Sequence, residues 1–158
     1  MKFEDFIKDI FHKYEEDEIY FIGLGNPYRS DDGVGIKFIS RIKKHFKNAF
    51  TEFDNITEIV LDLCNNNEKG LVIFIDSSDF QAEAGEIKIA VYDEIEDFGK
   101  HFHKIPLKLY MKLLQKAGKQ TFLIAIQPES IKEINEPELS KTVNESLNFL
   151  IKQFTFQN

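Results

Sequence analysis

Tryptophan is absent from this chain and cysteine occurs once, at Cys64. A lone thiol forms no internal disulfide, so the fold is not a disulfide scaffold and a reducing compartment is expected. Long apolar runs are missing as well. None approaches the about 20 residues that span a bilayer, and the opening MKFEDFIKDIFHKYEEDE is acidic throughout, without the apolar centre of a signal peptide. The expected setting is cytoplasmic, with no membrane span. Positive charge is scarce: 20 Lys and Arg stand against 27 Asp and Glu, a net charge of −7. That balance argues against a nucleic-acid partner, since phosphate binding needs clustered Lys and Arg.

What the chain does have is phenylalanine, 16 of them in 158 residues, within a composition 42% hydrophobic and 30% charged. Such a chain is a folded globular protein, long enough for one domain over residues 1–158 with a real core. Neither repeats nor low-complexity linkers interrupt it. Phe3, Phe6, Ile7, Ile10, Phe11 and Tyr14 recur at helical spacing, so residues 1–17 form an N-terminal helical extension. Residues 19–24 read as a strand, and Val34, Phe38, Ile39, Ile42 and Phe46 as the face of a helix. Residues 56–63 (ITEIVLDL) are expected to be a second strand. The continuous apolar run 71–75 suits a central parallel strand covered on both faces. Residues 85–92 alternate, and the gap before them is too short for a crossover helix, so this strand is expected to be antiparallel or at an edge. Leu109, Leu113 and Leu114 mark a helix over 105–116, residues 121–126 a further buried strand, and 138–154 a closing helix. The expected fold class is α/β: three layers, α/β/α, around a mostly parallel, twisted five-stranded sheet with one antiparallel strand.

The chain is organised around residues 19–35, IYFIGLGNPYRSDDGVG, a strand, a glycine-spaced loop and a helix start. In an open α/β sheet the carboxyl end of such a strand is where ligands bind. A dinucleotide fingerprint would place a third glycine at position 28, where Tyr28 stands, and no phosphate-binding loop with a Gly-Lys-Ser/Thr ending is present. Asp31 and Asp32 would also repel a phosphate from the helix start. A helix cap accounts for one of these carboxylates; the second is answered either by solvent or by a cation. Asp76 ends its strand on the same edge if the two strands are parallel neighbours, although an Asp also commonly turns the chain there. His103, ahead of the 105–116 helix, can reach that edge too, while His101 has no such argument. Asp32, Asp76 and His103 together make a site for a borderline divalent metal such as nickel or zinc, with coordination positions left open.

GLGNPYRSDDGVG at 23–35, FIDSSDF at 74–80, HKIPLKLY at 103–110 and FLIAIQPES at 122–130 resemble the hydrogenase maturation endopeptidases, which process the large subunit of nickel-iron hydrogenases. The H-x-x-P-L and I-Q-P elements are most similar to members serving formate-hydrogenlyase and energy-converting hydrogenases. The resemblance implies that Asp32, Asp76 and His103 contact nickel and carry catalysis. It also implies that the partner is a nickel-loaded large-subunit precursor whose C-terminal extension is removed. The nickel would be carried by that substrate, with no organic cofactor, and the enzyme is expected to be a monomer. Members commonly carry D-G-G-[ST] after the second strand, where this chain reads Asp62-Leu63-Cys64-Asn65. Cys64 has no assignable histidine base, so it is read as an incidental thiol. Two alternatives accompany this reading: a peptidyl-tRNA hydrolase-like esterase, which shares G-L-G-N-P, and a non-catalytic nickel-binding maturation chaperone.

Overall fold

In the computed structural model, which describes residues 2–97 and 106–156, Ile19–Gly23 (β1), Ala49–Thr51 (β2), Leu71–Ser77 (β3), Ile87–Ala90 (β4) and Gln120–Ile126 (β5) form one sheet in the order β2-β1-β3-β5-β4. Strands β1, β2, β3 and β5 are parallel, and β4 runs antiparallel to β5 at the edge. The mostly parallel sheet with one antiparallel strand agrees with the expected fold class.

Helices cover both faces, as a parallel sheet requires. On one side lie Phe3–Lys13 (α1), Val34–Ile42 (α2) and Lys141–Thr155 (α5). Phe6, Phe38 and Phe154 from these helices pack with Phe21 and Phe122 of the sheet, with Phe6–Phe122 and Phe21–Phe154 edge-to-face at 4.9 and 5.1 Å. The phenylalanine-rich composition thus serves mainly this layer. On the other side lie Ile56–Asn65 (α3) and Leu107–Lys116 (α4), against Ile22, Val72, Phe74 and Leu123. Every residue of β3 is buried between the two layers.

Residues 56–63 are therefore helix, not the expected second strand. Ile56, Val60 and Leu63 share one buried face at helical spacing, and the Asn55 side chain caps the first turn by accepting from Glu58 N. The second strand is the three-residue β2, too short to carry an alternation signal. Parallel strands need a crossover, and α3 supplies the one between β2 and β3. In α4 the expected helix is present but rotated: Leu107, Tyr110, Met111 and Leu114 face the sheet, while Leu109 and Leu113 are exposed. Tyr92–Asp97 forms a 3-10 helix.

Gly35 sets how closely α2 approaches the sheet. A Cβ there would stand 2.4 Å from the carbonyl oxygens of both Leu24 and Ile75, so only glycine lets the first turn of α2 rest on β1 and β3.

Candidate functional site

From β1 the chain passes to β2 on one side, and α3 then carries it back to β3 on the other, so the order of the sheet reverses between β1 and β3. Such a switch point opens a crevice at the carboxyl ends of the two strands. Leu24 N extends the pairing by donating to Ile75 O at 2.9 Å. Immediately beyond, β1 turns into its glycine loop and β3 ends with Asp76 and Ser77.

Gly25 is the pivot of the loop. Its φ of +121° is one that side-chain-bearing residues avoid, and a Cβ would stand 1.8 Å from the Asp32 carbonyl oxygen and 3.6 Å from Asp76 Oδ1. The absence of a side chain there is what brings the backbone of Asp32 and the carboxylate of Asp76 to the same spot. Asp76 is 1% exposed. It follows Val72 and Phe74 in the alternation of β3, which puts it toward the α3/α4 face.

The two successive amides of this turn are both committed. Gly25 N donates to Glu52 Oε1, and Asn26 N donates to Asp32 Oδ2 at 2.9 Å. Successive free amides in a glycine turn would form an anion-binding nest; here two carboxylates from the chain itself occupy them. This is a further physical reason, besides Tyr28 and the charge of Asp31 and Asp32, that the loop is no phosphate cradle. Asp32 Oδ1 also accepts the Ser77 hydroxyl at 3.2 Å, tying the loop to the end of β3.

Asp31 and Asp32 have separate jobs, and neither side chain caps α2. Asp31 is fully buried. It accepts the backbone N–H groups of Glu129 (2.9 Å), Ser130 (3.1 Å) and Ser140 (2.7 Å) and the Ser140 hydroxyl (2.9 Å). Ser140 is the N-cap of α5 and also receives Val143 N. Asp31 thus fastens the loop after β1 to the connection between β5 and α5, and its neighbour is left to face the crevice.

Two other residues shape the edge. Gln127 Oε1 accepts Phe80 N and Ala82 N, and its Nε2 donates to Asp79, which fixes the chain leaving β3. Glu52 follows β2 directly, its N donating to Gly23 O at 3.0 Å. A carboxylate just beyond a strand end is a readable signal, but it was hidden because the second strand was expected seven residues too late. The same shift corrects the comparison with D-G-G-[ST]: Asp62 to Asn65 lie in α3, and the residues that follow β2 are Glu52-Phe53-Asp54-Asn55.

Of the expected site residues, the fold brings Asp32 and Asp76 to one crevice, while His103 lies outside the described residues, as does His101. Among the described residues no group of three or more His, Cys, Asp or Glu is placed to hold a metal ion. α4 begins at the crevice edge: its first-turn Tyr110 hydroxyl pairs with Thr57 at the start of α3 at 2.6 Å, and its far end leads through residues 117–119 into the first residue of β5 at the opposite edge. Burial pushes the Cys64 thiol above its usual range, against a smaller opposing effect of Lys119. A thiol so shifted is a poor nucleophile.

A family model described as HycI, hydrogenase maturation protease, matches residues 36–157. A Methanocaldococcus jannaschii protein provisionally named a hydrogenase maturation protease is 27% identical over 126 residues, 72% of this chain and 74% of the relative. The solution structure of the endopeptidase HycI from Escherichia coli superposes with a TM-score of 0.70 at 17% identity, covering 89% of this chain and 91% of that one. The nickel-iron hydrogenase maturation protease HycI from Thermococcus kodakarensis gives 0.66 at 24% identity, over 87% and 92%. At these identities the structural likenesses speak for the fold.

Proposed function

This chain belongs to the hydrogenase maturation protease family, and on that premise we propose that it removes the C-terminal extension of a nickel-loaded hydrogenase large-subunit precursor, with the precursor's nickel as the recognition element. The family membership sets aside the peptidyl-tRNA hydrolase alternative. The observation that carries the proposal is the meeting of Asp32 and Asp76 around Gly25 at the topological switch point of the sheet.

His103 is proposed as the third group, since α4 starts four residues later at the crevice edge. An Asp/Asp/His set is a weak and open one. It can share a nickel ion that the precursor holds with softer, stronger thiolate ligands without extracting it. Among the described residues, each Asp32 oxygen is engaged by one hydrogen bond, which leaves it a lone pair for an approaching cation. The burial of Asp76 strengthens its attraction to such a charge. Hydrolysis then needs an activated water and a polarised carbonyl, through the substrate's metal or through a carboxylate acting as base.

The test is cleavage of nickel-loaded and nickel-free precursor, followed by mass spectrometry of the product. Cleavage of the loaded form alone, lost in Asp32→Ala, Asp76→Ala and His103→Ala, is the expected result. Equal cleavage of both forms refutes nickel recognition, and full activity of the His103 variant refutes its role. Binding without cleavage indicates the non-catalytic chaperone.

A further inference from the structure

We infer that Glu52 is a positioning residue for the crevice: its carboxylate sets the Gly25 peptide, and through that turn the placement of Asp32 against Asp76. Glu52 stands directly after β2, a strand that the sequence expects further along the chain. The inference rests on the proposed function only for its catalytic consequence.

Glu52 brackets the end of β1 twice. Its backbone N donates to Gly23 O at 3.0 Å, which carries the β1–β2 pairing one residue past Thr51. Its side-chain Oε1 reaches over and accepts Gly25 N. The strand therefore cannot leave the sheet freely; it is held on both sides of Leu24.

The consequence follows from how little room the turn has. Gly25 adopts φ +121° with the Asp32 carbonyl packed directly over its Cα and Asp76 Oδ1 just beyond. The next amide, Asn26 N, is held by Asp32 itself. A rotation of the Leu24–Gly25 peptide, whose N–H Glu52 holds, is passed across Gly25 to the following peptide, and so moves Asn26 N and the carboxylate that this amide orients. Glycine has no side chain to resist that rotation, so the resistance must come from outside the loop. Among the described residues, Glu52 supplies it through a charge-assisted hydrogen bond, which is stronger than a neutral one.

Glu52→Gln preserves an acceptor oxygen for Gly25 N; Glu52→Ala removes it. In amide hydrogen exchange followed by NMR, Glu52→Ala is expected to speed exchange at Gly25 and Asn26 on the order of ten-fold or more, the factor for losing a hydrogen bond to a charged group. Glu52→Gln, which keeps a neutral acceptor, should speed it distinctly less. In cleavage of nickel-loaded precursor, Glu52→Ala should lower kcat by on the order of ten- to a hundred-fold with KM little changed, as for a small misplacement of reacting groups, and Glu52→Gln should restore most of it. The inference is overturned if Asn26 exchange is unmoved in Glu52→Ala. It is equally overturned if Glu52→Gln loses as much activity as Glu52→Ala, which would make Glu52 a base or ligand. If wild type cleaves nothing while the exchange pattern holds, the proposed function fails and the positioning role stands.

Discussion

The Ser77 hydroxyl donates to Asp32 Oδ1 at 3.2 Å, joining the last residue of β3 to the loop that follows β1. Ser77 follows Asp76 directly at the end of the strand. Ser77→Ala should cost about 1.5 kcal/mol of stability, the lower end for a hydrogen bond to a charged group. It should also lower precursor cleavage several-fold by loosening Asp32. Urea unfolding and single-turnover cleavage check the two effects separately.

The adjacent carboxylates should separate cleanly under mutation. Asp31→Ala strips the partner from three backbone N–H groups and a buried hydroxyl, and should destabilise the protein by roughly 3 kcal/mol or more. Asp32→Ala, only half-buried, should leave stability within about 1–2 kcal/mol of wild type while abolishing cleavage. The midpoints of denaturant unfolding, compared with activity, distinguish a structural Asp from a functional one.

At Gly25 even a methyl group is excluded. Gly25→Ala must relieve a 1.8 Å approach to the Asp32 carbonyl and leave the positive φ as well. Activity should fall to background while the far-UV spectrum stays native, because the strain is confined to the loop. A variant as active as wild type would mean that the turn is not what sets Asp32 against Asp76.

Alkaline pH should weaken the fold from a site far from the crevice. The Tyr14 hydroxyl donates to Gln120 Oε1 at 2.8 Å. Burial, aided by Glu18 and Asp9 and opposed by Lys13, raises its ionisation above the usual tyrosine value near 10. In the unfolded chain that phenol ionises at the ordinary value, so the unfolded state releases its proton first. The stabilising contribution is complete below about pH 10 and is lost as pH rises through the higher folded value. Tyr14→Phe should flatten this alkaline loss, as measured by melting temperature between pH 8 and 11.

How far the sequence could be read depended on segment length and on which neighbours a residue meets. The seven-residue β3 and the opening β1 carry continuous apolar runs and were legible; the three-residue β2 has no pattern to read. The ITEIVLDL stretch has apolar residues at both strand and helix periods, and its Asn55–Glu58 cap, not its hydrophobicity, distinguishes the two. In α4 the leucines misled, because Leu109 and Leu113 are exposed while Tyr110 and Met111 do the packing. Asp31 and Asp32 are chemically identical in sequence. Only the return of residues 129–140 to the loop assigns one to structure, and no local pattern contains that distance. Glu52 is readable as a carboxylate just beyond a strand end once β2 is placed at residues 49–51, but its bond to an amide 27 positions earlier is not.

The bonds from Asp31 to Ser130 and Ser140 also impose an order on synthesis. A chain made from its N-terminus produces β1 and the Asp32 loop early, but the groups that anchor this loop are among the last to be translated. Until they arrive, Asp31 lacks the partners that fasten its loop to the connection between β5 and α5. The protease is therefore completed from its far end: a nascent chain that stops short of residue 140 carries every expected site residue but not the Ser140 groups that anchor Asp31.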